Sequence, residues 1–122
     1  MTDLKTMFSA STAIVLAGAA WADTNEAYLD QTGNNNTALI EQDGDDNVAG
    51  RDSVLNSVGQ DGDDNLLTLE QTGDRNRAGV NPGGTGGAFN QSGALNQMDA
   101  TQSGNDNLLV NSRQSANNNV PS

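Results

Sequence analysis

The chain has 122 residues, of which 34% are hydrophobic and 3% aromatic, and its formal net charge is −11. These values exclude an ordinary globular core, which depends on many Leu, Ile, Val and Phe side chains, and the acidic balance argues against binding to nucleic acid. With no Cys and no His, disulfides, thiolate or imidazole zinc sites, and catalytic pairs using either residue are excluded. Two interpretations remain: intrinsic disorder, or a repetitive β structure stabilised by backbone and amide ladders.

Residues 1–22 are typical of a secretory signal peptide and are called the leader below. Lys5 precedes a stretch of small and apolar residues that ends in an Ala-x-Ala cleavage signal at 20–22. The apolar stretch is shorter than the roughly 20 residues that a transmembrane helix needs. We therefore expect export, cleavage after Ala22, and a mature chain of residues 23–122 without a membrane span.

One six-residue unit, Gln-x-Gly-x-x-Asn, recurs through the rest of the chain, and we call it the head. Its glutamines are Gln31, Gln42, Gln60, Gln71, Gln91 and Gln102, its glycines are Gly33, Gly44, Gly62, Gly73, Gly93 and Gly104, and its asparagines are Asn36, Asn47, Asn65, Asn76, Asn96 and Asn107. A degraded copy, Gln114/Ala116/Asn119, closes the chain. The steps from one glutamine to the next are 11, 18, 11, 20, 11 and 12 residues, so the heads come in pairs with a longer period of 29 and then 31. A fixed period of this size is typical of stacked repeats and favours order over disorder.

The residues that flank each head alternate between the two faces of a strand. Ala27, Leu29 and Gln31 share one face before the first turn, and Ala38 and Ile40 share the corresponding face after it. The glycine of the head can take positive φ and so permits a tight turn. The pattern predicts strand-turn-strand arcs at about 25–42, 54–71 and 85–102, with a degraded final unit at 107–119. The predicted fold is therefore all-β, a β-solenoid with three full rungs and a partial one.

Stacking the arcs as rungs about 4.8 Å apart places each glutamine above the glutamine of the next arc and each asparagine above an asparagine. A primary amide has two donor hydrogens and an acceptor, so we expect each side chain to bond the ones above and below it. Charges follow the same columns: Asp46, Arg75 and Asp106 alternate in sign, whereas Asp45 falls over Asp74 without an evident reason. The sequence leaves open whether the long returns form a third side or loops.

The acidic turns are a weak candidate for calcium binding, because clustered carboxylates suit that ion. The residues concerned are Asp43, Asp45, Asp46, Asp61, Asp63 and Asp64. Their spacing matches neither the helix-loop-helix calcium loop nor the Gly-rich nonapeptide repeat. Solvated turns are the simpler interpretation, and no other cofactor is predicted.

The pattern Gln-x-Gly-x-x-Asn-x-Ala-x-x-x-Gln, unaltered at Gln31/Gly33/Asn36/Ala38/Gln42, resembles the curlin repeat of bacterial curli subunits. This resemblance implies a secreted β-solenoid that crosses an outer-membrane channel and polymerises, with a nucleator subunit, into a functional amyloid fibre of the biofilm matrix. It also implies that the amide residues stack both within and between subunits.

The sequence departs from the pattern at the long returns, at Leu67 and Met98 in place of Ala, and at Ala116 in place of the last Gly. No terminal helix and no cluster of Lys protects the end rungs, and an unprotected strand edge recruits further chains. The alternative is a non-polymerising surface adhesin or calcium-binding repeat protein. An enzyme is not predicted, since no nucleophile, paired acid or metal constellation appears.

Overall fold

The computed structural model describes the backbone of residues 3–9, 14–18, 24–50, 56–81 and 87–115, and the side chains of 24–50, 58–81 and 88–115. These residues form an all-β protein, as predicted. The strands are β1 (Asp3–Ser9), β2 (Ile14–Gly18), β3 (Glu26–Thr32), β4 (Thr37–Asp43), β5 (Val48–Ala49), β6 (Asn56–Asp61), β7 (Leu66–Thr72), β8 (Arg77–Ala78), β9 (Gly87–Ser92), β10 (Gln97–Ser103), β11 (Leu108–Leu109) and β12 (Asn111–Ser115). None of these ranges contains a helix with the length and hydropathy of a membrane span.

The strands form two parallel sheets. The first sheet has eight strands in the order β11-β8-β5-β3-β6-β9-β12, with β1 also paired to β3, and the second has four in the order β10-β7-β4-β2. The two strands of one arc, β3 and β4, thus belong to different sheets and are joined by a turn, not by a ladder. Each strand pairs with its equivalent one period later: Gln31 lies opposite Gln60 in the first sheet and Gln42 opposite Gln71 in the second. This stacking of equivalent strands confirms the predicted β-solenoid.

The register of the first sheet locates the extra residues of the long returns. Ala49 lies opposite Ala27, and Val58 lies opposite Leu29. Ala27 and Leu29 are two positions apart, whereas nine positions separate Ala49 from Val58. The additional residues are therefore inserted at one point within the first sheet, between a short strand and a longer one, and the same arrangement recurs between β8 and β9. Proline has no backbone N–H and is expected to stay outside a sheet; Pro82, in the second return, lies beyond the described residues.

The core lies between the sheets and consists of the inward residues of each strand. Ala27 and Leu29 from the first sheet pack in one cluster with Ala38 and Ile40 from the second. The exposed and buried positions alternate along β3 and β4, as the period-2 pattern predicts. Because each rung buries only about four apolar side chains in this cluster, a small apolar fraction of the sequence is enough to fill it.

The two N-terminal strands lie within the predicted leader. β1 pairs with β3 over seven positions, and β2 pairs with β4 over five. In the full chain, the backbone of the leader thus extends both sheets by one strand at their N-terminal end. Cleavage after Ala22 stays a prediction.

Candidate functional site

Glutamines stack in two continuous columns, one in each sheet, and all of them are buried except the half-buried Gln114. The first column is Gln31, Gln60, Gln91 and Gln114, and the second is Gln42, Gln71 and Gln102. In the first, the Nε2 of Gln31 donates to Gln60, Gln60 donates to Gln91 over 2.9 Å, and Gln91 to Gln114 over 3.0 Å. In the second, the two successive Nε2–Oε1 distances are 2.8 and 2.7 Å. Every donor points towards the C-terminal end, so both columns have the same polarity.

The same amide nitrogens also join the two sheets. Nε2 of Gln42, in the second sheet, donates to the backbone oxygen of Glu26 in the first, at 3.1 Å. Conversely, Nε2 of Gln60 donates to the backbone oxygen of Thr37 at 3.0 Å. An amide with two hydrogens can make both bonds at once. Gln42, Gln60 and Gln71 therefore each bond to the glutamine of the next rung and also to the backbone of the opposite sheet.

The asparagine side chains form hydrogen bonds with the backbone of the turns, and they do not form the simple side-chain ladder that we expected. Oδ1 of Asn36 accepts the backbone N–H of Asn65 at 3.0 Å, while its Nδ2 donates to the oxygens of Thr32 and Gly62 at 3.0 and 2.7 Å. Asn47 has equivalent bonds in the other column. Asparagine is one methylene shorter than glutamine, so its amide reaches the turn backbone first. Asn96 and Asn107 do make a side-chain hydrogen bond to the asparagine of the preceding rung, Asn65 and Asn76 respectively.

The head glycines lie where two turns are in direct contact. Gly33 has a φ of +106°, and a Cβ there would lie 1.9 Å from the carbonyl oxygen of Gly62 in the next rung. At Gly44 the corresponding distance to the Gly73 oxygen is 2.3 Å. Gly104 has the same backbone conformation, but the nearest atom to its Cβ position is 3.9 Å away. Glycine is thus required both by the turn and by the rung that stacks on it.

A second left-handed position closes each turn, which the sequence pattern did not reveal. The residues immediately before the asparagine of each head are Asn35, Asp46, Asp64, Arg75, Leu95 and Asp106, with φ between +55° and +60°. Asn and Asp tolerate this conformation better than other side chains do. Many of the acidic and amide residues of the turns are therefore explained by backbone geometry.

Carboxylates in the turns accept hydrogen bonds from backbone N–H groups of the preceding rung. Oδ1 of Asp63 accepts the N–H of Asn34 at 2.8 Å, and Oδ1 of Asp74 accepts that of Asp45 at 3.1 Å. This bond gives a physical reason for stacking Asp45 over Asp74. No group of three or more acidic residues in the described ranges could hold a metal ion.

The predicted charge pair in the Asp46, Arg75 and Asp106 column is present on one side. The guanidinium of Arg75 binds Asp106 with two hydrogen bonds of 2.7 and 2.8 Å. This hydrogen bonding to Arg75 lowers the pKa of the Asp106 carboxyl. Asp46 instead accepts a hydrogen bond from the hydroxyl of Thr24.

Asn25 is a column residue that we did not predict as such. Its side chain is 2% exposed, its Oδ1 accepts the N–H of Asn47 at 2.8 Å, and its Nδ2 donates to the oxygen of Gly44 at 2.9 Å. Thr24 has a φ of +60°, like the residue before each head asparagine. Stepping back 11 residues from Asn36 reaches Asn25, so the repeat spacing alone could have identified it.

Parallel in-register rungs, two polar glutamine columns and glycine turns define a β-solenoid built from amide-stacked repeats. Residues 22–52, which contain the first complete rung, match the family model of the curlin associated repeat. This match confirms the resemblance seen in the sequence for that segment of the chain. This family is structural and not enzymatic, and its members are extracellular fibre subunits. Searches among curated proteins and among solved structures give no match.

Proposed function

We propose that this chain is a subunit of an extracellular amyloid fibre of the curli type, which supports a biofilm matrix and cell adhesion. Its main partner is a further copy of itself, and a nucleator subunit and an outer-membrane secretion channel complete the set of partners. The fibre is a homopolymer in which the rungs of successive copies continue the same stack.

The observation that carries this proposal is the equivalence of the rungs. Each strand of the second sheet repeats the previous one in register, glutamine on glutamine, through β4, β7 and β10. Within the described part of the chain, β10 is the last strand of that sheet. A strand with an open edge presents unpaired N–H and C=O groups to any chain that offers a matching strand. A second copy offers such a strand, since its own rungs already stack in this way.

The test is seeded growth of the mature chain, residues 23–122, followed by thioflavin fluorescence and fibre diffraction. We expect growth that depends on concentration, is accelerated by seeds, and gives reflections near 4.8 and 10 Å. A stable soluble β monomer that ignores seeds would contradict the proposal and favour the non-polymerising surface adhesin.

A proline on the open edge distinguishes stacking from other forms of aggregation. In β7, the N–H of Leu66 donates to Asn96 in the following rung. Because N–H groups alternate in direction along a strand and β10 stacks in register on β7, the N–H of Thr101 points to the open side of β10. Thr101→Pro removes that donor without removing a bond to β7. We expect slower growth for Thr101→Pro and near-normal growth for Thr101→Val, which keeps the N–H. Equal growth of the two variants would exclude this edge from the interface.

A further inference from the structure

The N-terminal edge of the first complete rung contains a buried acceptor that lacks a partner. The side chain of Gln31 is 1% exposed, and its Oε1 has no hydrogen bond within the described residues. Further along the same column, Oε1 of Gln60 and of Gln91 each accepts an amide N–H from the preceding glutamine. A buried acceptor without a donor destabilises the state that contains it. This edge is therefore chemically incomplete.

Strands β1 and β2 of the leader cover this edge without completing it. The register places Phe8 opposite Gln31 and Gly18 opposite Gln42. Neither residue type has an amide, so the leader extends the backbone ladders of both sheets but continues neither glutamine column. Every pairing that follows along the second sheet instead places glutamine on glutamine.

The polarity of the columns determines which surface could supply the missing donor. All Nε2 groups point towards the C-terminal end, where Gln102 and Gln114 are the last members. A second copy that presents its C-terminal rung therefore brings an amide N–H to Gln31. A second copy that presents its own first rung brings another acceptor instead, which cannot form the bond.

The distribution of charge favours the same orientation. Residues 24–50 contain six acidic residues and no basic one, whereas residues 87–115 contain two acidic residues and one basic one. Two first rungs facing each other would bring the most acidic parts of both chains together. A first rung facing a C-terminal rung reduces this repulsion, which matters most at low salt.

We propose that the leader strands and the C-terminal rung of a second copy compete for the same surface, the N-terminal edge of β3 and β4. The second copy is favoured there because it alone supplies a donor to Gln31. This inference rests on the proposed function, because the competing occupant is the next subunit of a fibre. In the full chain, the leader therefore obstructs growth at this edge, and its removal exposes the edge.

The first experiment compares elongation of seeds by the full chain, residues 1–122, and by the mature chain, residues 23–122. We expect the full chain to elongate seeds roughly tenfold more slowly, because the leader must leave this edge before a second copy can pair with it. We also expect small amounts of the full chain to terminate growth of the mature chain, since each added copy leaves a covered edge. Equal elongation rates and no termination would overturn the inference.

Two leader variants of the full chain make the test specific to the amide. Phe8→Gln places an amide opposite Gln31, so the leader should compete better and slow growth further. Phe8→Leu changes the same position without adding an amide and serves as the matched control. Identical elongation by the two variants would overturn the role of Gln31.

Hydrogen exchange on the soluble chains keeps this inference separate from the proposed function. The N–H groups of successive residues point to opposite sides of a strand. Because the N–H of Glu26 donates to Asn47 in the following rung, the N–H of Leu29 points to the other side, towards the leader. The N–H of Ile40 points towards the leader for the same reason. We expect these amides to exchange more slowly in the full chain than in the mature chain. Failure of both chains to form fibres would reject the fibre proposal alone, whereas equal exchange would reject the covering of this edge.

Discussion

The two sheets of this protein are built from the same repeat, but the strands are uninterrupted in one sheet and interrupted in the other. The second sheet consists of uninterrupted seven-residue strands, β4, β7 and β10, that pair over their whole length. In the first sheet, each inner rung is a two-residue strand followed, after an insertion, by a six-residue strand. Both sheets nevertheless keep their glutamine column in register.

The difference shows where this solenoid requires regularity. The chain passes to the next rung in the first sheet, and the residues added there do not displace the columns on either side of them. The second sheet contains the span between two heads, where both ends of the strand are fixed by glycine turns. The 11-residue spacing is therefore kept across the second sheet, while the return through the first sheet varies.

The largest expected effect comes from moving an insertion between the two sheets. Four residues, Gly-Ser-Gly-Ser, inserted between Thr68 and Leu69 would shift Gln71 out of its column and break the pairing of β7 on both sides. We expect loss of cooperative folding. The same residues between Asp52 and Ser53 only lengthen an existing return, at a cost of about 0.5 kcal/mol.

The measurement is denaturant unfolding of both insertion variants, followed by circular dichroism. If the two insertions cost the same free energy of unfolding, the comparison between the sheets is wrong.

The turn glycines provide the next largest effect and a control within one column. In Gly73→Ala, the new Cβ would lie 2.4 Å from the Gly104 oxygen at a φ of +99°, so we expect a loss above about 3 kcal/mol from strain and overpacking together. Gly104→Ala has a similar φ, +93°, but no close neighbour, and we expect a loss of about 1–2 kcal/mol from backbone strain alone. The free energies of unfolding should differ accordingly. Equal losses would mean that the turns do not stack as closely as described.

The glutamine columns permit a direct comparison of the two sheets. In the second sheet, Gln71→Leu leaves a donor on Gln42 and an acceptor on Gln102 without their partner, and we expect a loss of about 2–4 kcal/mol. In the first sheet, Gln91→Leu affects Gln60 and the half-buried Gln114, so we expect a smaller loss of about 1–3 kcal/mol. Unfolding of both variants under the same conditions checks this order. The reverse order would show that the interrupted sheet contributes more to stability.

Much of this architecture could be predicted from the spacing of Gln, Gly and Asn. The columns follow from spacing because strands of equal length between identical turns can stack only in register. The location of the insertions could not be predicted, since a longer return is compatible both with a third side of the solenoid and with a loop. The register of Ala49 and Val58 with the first rung shows that the extra residues are inserted within the first sheet.

The hydrogen bonds of the turns also could not be predicted from the sequence pattern. Reading Asn36 and Gln42 as one kind of amide ladder overlooked the different reach of the two side chains. Asp74 appeared as an unexplained repulsion because the sequence does not show that its carboxylate accepts the N–H of Asp45. These contacts depend on the left-handed turn geometry, which residue types suggest but do not determine.

Leu95 is expected to be a weak point of the turns that end the first-sheet strands. It is 53% exposed with a φ of +57°, a conformation that is unfavourable for a leucine without a local hydrogen bond. Leu95→Asn should raise the free energy of unfolding by about 0.5–1 kcal/mol. The reverse change at the equivalent position of the first rung, Asn35→Leu, should lower it by a similar amount. If both changes act in the same direction, the backbone argument fails.

The smallest effect is expected from the ion pair on the turns that end the second-sheet strands. Arg75 and Asp106 have side chains that are 50% and 64% exposed, so solvent weakens their attraction and salt screens it further. Because Arg75 lowers the pKa of Asp106, the pair stabilises the folded protein above the ordinary aspartate pKa of about 3.9. That contribution is lost as the pH falls through the lower pKa of the folded state. Asp106→Asn should therefore reduce the acid dependence of unfolding slightly, and more at low salt than at high salt. If the acid dependence at low salt is unchanged, the other turn carboxylates cause the acid dependence of unfolding. Those carboxylates accept hydrogen bonds from backbone N–H groups and so connect one rung to the next.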